Sequence, residues 1–149
     1  MLTVLTFLPV IGALGMLIFM RGRPSAYKTT ALVTSIVTLG VAIFAAAGFD
    51  AGSGEFQYVE NHSWIASLGI SYHLGIDGIS LLLVLLTTVL TVVAILGSWN
   101  SIKDRGLAFF ISLLVLETGM LGVFVSMDLF LFYVFWEVQL IPMYFIIGL

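Results

Sequence analysis

Five runs of about 20 mostly apolar residues dominate the sequence: Leu2 to Met20, Thr29 to Phe49, Ile79 to Gly97, Leu107 to Met127 and Leu129 to Leu149. Twenty residues of α-helix rise about 30 Å, the thickness of the hydrocarbon core of a bilayer. Each run is too long and too continuous to be an alternating barrel strand. The expected fold is an all-α polytopic transmembrane bundle of five helices. Composition agrees, because a chain of 149 residues with 61% hydrophobic and 9% charged residues cannot clothe a soluble domain in polar groups. The first run is not a cleavable signal: "MLTVLT" lacks a positive n-region and "IFMRGRP" offers no small-residue cleavage site.

The few charges set direction. All five basic residues fall in two connections, Arg21, Arg23 and Lys28 after the first run, Lys103 and Arg105 after the third. Alternating helices put both connections on one side, which the positive-inside rule makes the cytoplasm or its organellar equivalent. The N-terminus is then outside, and the fifth run enters from outside. Five Lys and Arg in total exclude a nucleic-acid-binding surface. The absence of cysteine excludes disulfides, thiolate metal sites and iron–sulfur ligation by this chain. The long connection from Asp50 to Ile76 carries Asp50, Glu55 and Glu60. Its "DAGSGE" reads as a turn-rich linker, and "HSWIASLGISYHLGIDGIS" as a segment lying at the membrane interface. Asp77 is expected to cap the third helix. Asp128 alone separates the last two runs, so it is expected to cap the fifth helix in a tight antiparallel hairpin.

Against this background two acids stand out. Glu117 lies ten residues into the fourth run and Glu137 eight residues into the fifth, roughly 15 Å and 12 Å deep. An ionised side chain there costs about 2.5–3.5 kcal/mol even on a lenient insertion scale. Staying protonated, facing a hydrated cavity or meeting a cation each relieves part of that cost. Any of the three makes the charge state depend on surroundings, as a proton relay requires. The plainer alternative is a protonated acid bonding two helices together. Pro142 has no N–H for the carbonyl of Val138, which must find a water or a polar side chain near Glu137. Tyr133 and Tyr144, at minus four and plus seven, share the face of Glu137 and could bond it. Gln139, about 200° round the helix, is expected to face elsewhere, toward a neighbouring subunit. Ser112, Gly119 and Ser126, with Gly122, form a small-residue stripe for close helix approach. His62 and His73 match no metal motif, and no phosphate loop, haem-attachment motif or nucleophile triad is present, so the chain has no redox or hydrolytic chemistry of its own.

"YHLGIDGISLLL" together with "FFISLLVLETGMLGVFVSMDLFLFYVFWEVQLIPMYFIIG" resembles the antiporter-like proton-translocating subunit, chain 4 (M type), of respiratory NADH:quinone oxidoreductase, complex I. The likeness runs along residues 1–149, most specifically in "LETGM" and "FWE…LIPMYF". It implies the N-terminal third of one antiporter-like domain of about fourteen helices. It maps the key glutamate of the family's fifth helix to Glu137 and that of its fourth helix to Glu117. It implies coupling of electron transfer from NADH to quinone with proton pumping. NADH, flavin, iron–sulfur clusters and quinone would belong to partner subunits, and neighbouring antiporter-like subunits and the lipid bilayer are the expected partners. The location implied is a bacterial inner (plasma) membrane or an organellar inner membrane. A cation/proton antiporter subunit, a membrane-bound hydrogenase subunit and a passive structural subunit are the alternatives. In the family, the lysine that pairs with the fifth-helix glutamate sits on a later helix, whereas Lys28 and Lys103 lie in connections. The sequence also stops at Leu149 inside an apolar run, so a truncated gene model or fragment is expected.

Overall fold

The computed structural model describes residues 2–19, 26–49, 56–98 and 106–148. Its helices stand where the apolar runs are: α1 Leu2–Phe19, α2 Ala26–Ala47, α3 Gly78–Gly97, α4 Gly106–Val125 and α5 Leu129–Gly148. Four of them, α2 to α5, are long and apolar enough to cross a membrane, and α1 is a shorter apolar helix over Leu2–Ile18. Lys28, expected in a connection, instead lies in the first turn of α2. Arg21, Arg23, Lys103, Arg105, Asp50, Glu55 and the "DAGSGE" linker lie outside the described residues.

Hydroxyl side chains within the helices bond back to their own backbone. In α2 Thr34, Ser35 and Thr38 donate to the carbonyls of Thr30, Leu32 and Thr34, each at 2.8 Å. In α3 Thr87 and Thr88 donate to Leu83 and Leu85 at 2.8 and 2.9 Å. Neither lipid nor an apolar helix neighbour offers a partner to a hydroxyl, so a local carbonyl takes the proton.

The outer connection is more ordered than the sequence suggested. Strands β1 (Gln57–Ile65) and β2 (Ile70–Ile76) form an antiparallel hairpin, joined by one 3-10 turn and by Gly69 at φ +70°. Pairing runs from Gln57 opposite Ile76 to Ile65 opposite Ile70, with irregularities between Gln57 and Glu60 and between Ser63 and Ile65. Those two breaks disturb the period-two alternation by which a strand is usually recognised. The first also leaves Tyr58 in the left-handed region, at φ 57°. From there its hydroxyl donates to the carbonyl of Ala45 near the end of α2, at 2.9 Å.

The hairpin holds one set of helix ends together. Glu60 of β1 accepts from the backbone N–H of Thr3 at 3.0 Å and from its hydroxyl at 2.6 Å, and that hydroxyl also lies 2.8 Å from the Tyr72 hydroxyl. Burial by itself would raise the Glu60 pKa, but the net shift is downward, with the two bonds from Thr3 among the causes that hold the carboxyl below its ordinary value. Asp77 caps α3 as expected, accepting from Ser80 N at 2.8 Å. Asp128 caps α5 through Phe130 N and Leu131 N at 2.9 and 3.1 Å, and its second oxygen accepts from Ser71 N of β2 at 3.1 Å. Met127 N donates to the His73 carbonyl at 2.8 Å, and Leu74 bridges to Ser126. One side of the bundle thus carries the start of α1, the hairpin and the α4–α5 turn. The ends of α1 and α3 and the starts of α2 and α4 lie on the other side.

The core has two apolar clusters. Leu2, Leu5, Leu74, Leu81, Leu121 and Phe135 belong to the one beneath the hairpin, and Ala13, Met16, Ile95, Phe110 and Leu114 to the one at the opposite end.

Candidate functional site at mid-depth

Between those clusters lies a polar level. The buried polar side chains among the described residues are Thr6, Ser35, Thr38, Thr87, Thr88, Glu117 and Thr118. On α1 to α4 each falls, by its place along the helix, between residues of the outer cluster and residues of the inner one. The bundle is therefore dry at both ends of its core and polar in between.

Glu117 is the acidic member of this level. It is 1% exposed, and neither of its carboxylate oxygens has a hydrogen-bond partner in the structure. It borders a crevice of about 150 Å³ between α3 and α4, walled by Thr87 and Thr91 on one side and by Leu113, Leu116 and Met120 on the other. Thr91 lies against the carboxyl, yet its hydroxyl proton goes to the Thr87 carbonyl at 2.9 Å. No basic residue lines the crevice among the described residues.

The next residue, Thr118, points the other way. Its Oγ1 accepts from Val10 N of α1 at 3.1 Å, directly after Pro9, which leaves a gap in that helix's hydrogen-bond ladder. Thr118 also lines a largely apolar groove of about 440 Å³, together with Phe7, Val10, Leu131, Phe135 and Val138. One turn from Val10, the Thr6 hydroxyl is fully buried and unpartnered.

On α5 the structure divides what the sequence placed together. Pro142 is buried and Val138 faces the groove, whereas Glu137 is exposed on the outer face of the helix. Tyr133 and Tyr144 share that outer face, 57% and 77% exposed. Phe132 and Trp136 stack beside them at 6.0 Å. Glu117 and Glu137 therefore do not share one pocket: the first faces α3, and the second leaves the bundle. Gln139, expected to face outward, sits instead over Gly119, where an added Cβ would come 2.9 Å from the Gln139 Cβ. Gly122 is filled in the same way by the Phe135 ring. Of the small-residue stripe, Gly119 and Gly122 lie at the α4–α5 contact. Asp128 is a structural cap; hydrogen bonds from Ser71, Leu131 and Phe130 hold its carboxyl below the ordinary range.

Sequence reasoning missed Thr87 and Thr91. Their i, i+4 spacing put both on one helical face and was the available signal. It also missed the Thr3, Glu60 and Tyr72 cluster, whose members are 57 to 69 residues apart and carry no local signature.

No protein-family model matches the chain. Along its whole length it is 42% identical to NADH-quinone oxidoreductase subunit M of Rhodobacter capsulatus, covering 29% of that protein. Over 99% of its length it is 36% identical to the subunit M of Mycobacterium tuberculosis and 35% identical to that of Rickettsia prowazekii, covering 32% and 30% of them. The chain thus spans about 30% of the length of the curated relatives it matches. A solved structure of the membrane-bound sulfane sulfur reductase, an archaeal respiratory membrane complex, superposes with a TM-score of 0.74 over 93% of this chain and 21% of that one, at 22% identity. That likeness establishes the fold, a bundle of apolar helices.

Proposed function

We propose that this chain, whose whole length matches about 30% of NADH-quinone oxidoreductase subunit M, is the N-terminal part of a proton-translocating, antiporter-like membrane subunit. The oxidation of NADH and the reduction of quinone take place on other chains of the assembly, and this one carries protons in a bacterial inner membrane. The observation that carries the reading is Glu117, a carboxyl 1% exposed with both oxygens unpartnered, in the polar level of a membrane bundle. A side chain that served only as packing glue would have its partner in hand.

Glu137 takes its role from position. It stands on the exposed face of α5 among Tyr133, Trp136 and Tyr144, the face that the rest of the longer subunit is free to cover. A cation borne by that remainder supplies the counter-charge. At about 4 Å and an effective dielectric near 20, one such charge is worth around 4 kcal/mol. Its approach and withdrawal are the charge movement that the proposal assigns to this face.

The test is proton pumping per electron in the full-length assembly. Glu137→Gln is expected to abolish pumping and Glu137→Asp to keep part of it; full pumping by the Gln variant removes the proposal. The fold shared with an archaeal respiratory complex of different name favours one second reading, the same module serving an antiporter- or hydrogenase-type assembly. Sodium-dependent transport without NADH oxidation supports that instead.

A further inference from the structure

We infer that the crevice between α3 and α4 is a water-binding site in which Thr87 and Thr91 position water against Glu117. Free threonine donors are missing from the wall of this crevice. A threonine hydroxyl has one proton to give and lone pairs to accept with. Thr87 gives its proton to Leu83 O at 2.8 Å and Thr91 gives its own to Thr87 O at 2.9 Å. Both hydroxyls therefore face the crevice as acceptors. An ionised carboxylate is also an acceptor only. When Glu117 is ionised the polar wall is therefore acceptors throughout, and neither carboxylate oxygen has a partner although Thr91 lies beside it.

In that ionised state the site needs a molecule with two donors. Water is the small molecule that has them, giving one O–H to Glu117 and the other to Thr91 or Thr87. The crevice, at about 150 Å³, has room for several waters at roughly 30 Å³ each. Thr87 and Thr91 sit one turn apart on α3, so water held at Thr91 can be bonded onward to water at Thr87. The two threonines are positioning residues. They fix the direction in which Glu117 meets its water, and the consequence for transport rests on the reading of Glu117 as a proton carrier.

The full-length assembly is examined by infrared difference spectroscopy in ordinary and ¹⁸O-labelled water. Wild type is expected to show an O–H band that shifts with the label and disappears in Glu117→Gln. Thr91→Val, which keeps the shape of the side chain but loses the acceptor, is expected to lose that band and to shift the Glu117 carboxyl band. Thr91→Ser is expected to keep both. Unchanged bands in Thr91→Val and in Thr87→Val, two variants that do not depend on each other for assembly, overturn the inference. If Glu117→Gln pumps normally while the water band responds to Thr91→Val, the proton-carrier reading falls and the water site stands.

Discussion

Replacing Gly119 by alanine tests the packing that presents both acids. The added Cβ would lie 2.9 Å from the Gln139 Cβ and 3.0 Å from its Cα and N. Two of those three atoms are backbone, so no rotamer change relieves the contact and α5 must move away from α4. Overpacking of this kind costs about 1–3 kcal/mol. Alanine also gains up to about 1 kcal/mol over glycine in a helix, which would mask part of the effect. Gly15→Ala supplies the reference, because nothing lies within 4 Å of its added Cβ and the same propensity gain applies. The difference between the two variants isolates the packing cost at about 1–3 kcal/mol, a factor of roughly 5 to 150 in the unfolding equilibrium. The assay is reversible unfolding in detergent, followed by circular dichroism, with both variants compared to wild type. If the two differ by less than about 0.3 kcal/mol, the limit to which independent sites are additive, the close approach of α4 and α5 at Gln139 is refuted.

The outer hairpin yields three more. Glu60, Asp77 and Asp128 are all held below their ordinary pKa, so the stability each contributes is present above the unfolded value and is lost as pH falls through the folded one. The hairpin and the two helix caps beside it are therefore expected to loosen below about pH 4, seen as faster hydrogen exchange at Ser71 for the hairpin and at Ser80 and Leu131 for the caps; exchange indifferent to pH, after correction for intrinsic rates, contradicts it. Asp128→Asn keeps a capping oxygen but not the charge, and is expected to remove the acid sensitivity at Leu131 while leaving that at Ser80. Tyr58→Phe removes the bond to the Ala45 carbonyl and is expected to destabilise by about 0.5–1.5 kcal/mol in the same unfolding assay.

How far the sequence could be read is plain from individual residues. The helices were legible because lipid demands about 20 apolar residues in a row, and because Asp77 and Asp128 mark starts by a short-range rule. The depth of Glu117 and Glu137 followed from counting. Their facing did not, since an almost uniformly apolar helix has no polar side to orient it; α5 gave no sign that Gln139 rather than Glu137 meets α4. Gly119 and Gly122 did mark the contact face, and placing Gln139 opposite them would have given the rotation of α5. The hairpin was hidden by its two irregularities, and the bonds from Glu60 to Thr3 by their separation along the chain. The polar level was legible only in part. Threonine is common in membrane helices, and it becomes informative once the helices are seen to align Thr6, Thr38, Thr87 and Thr118 with Glu117 between two apolar clusters.

Infrared difference spectroscopy of the full-length assembly during turnover observes Glu117 itself, its carboxyl band being the one removed by Glu117→Gln. The account predicts that this band appears and disappears in step with proton transfer. A Glu117 band of constant amplitude through many turnovers contradicts it.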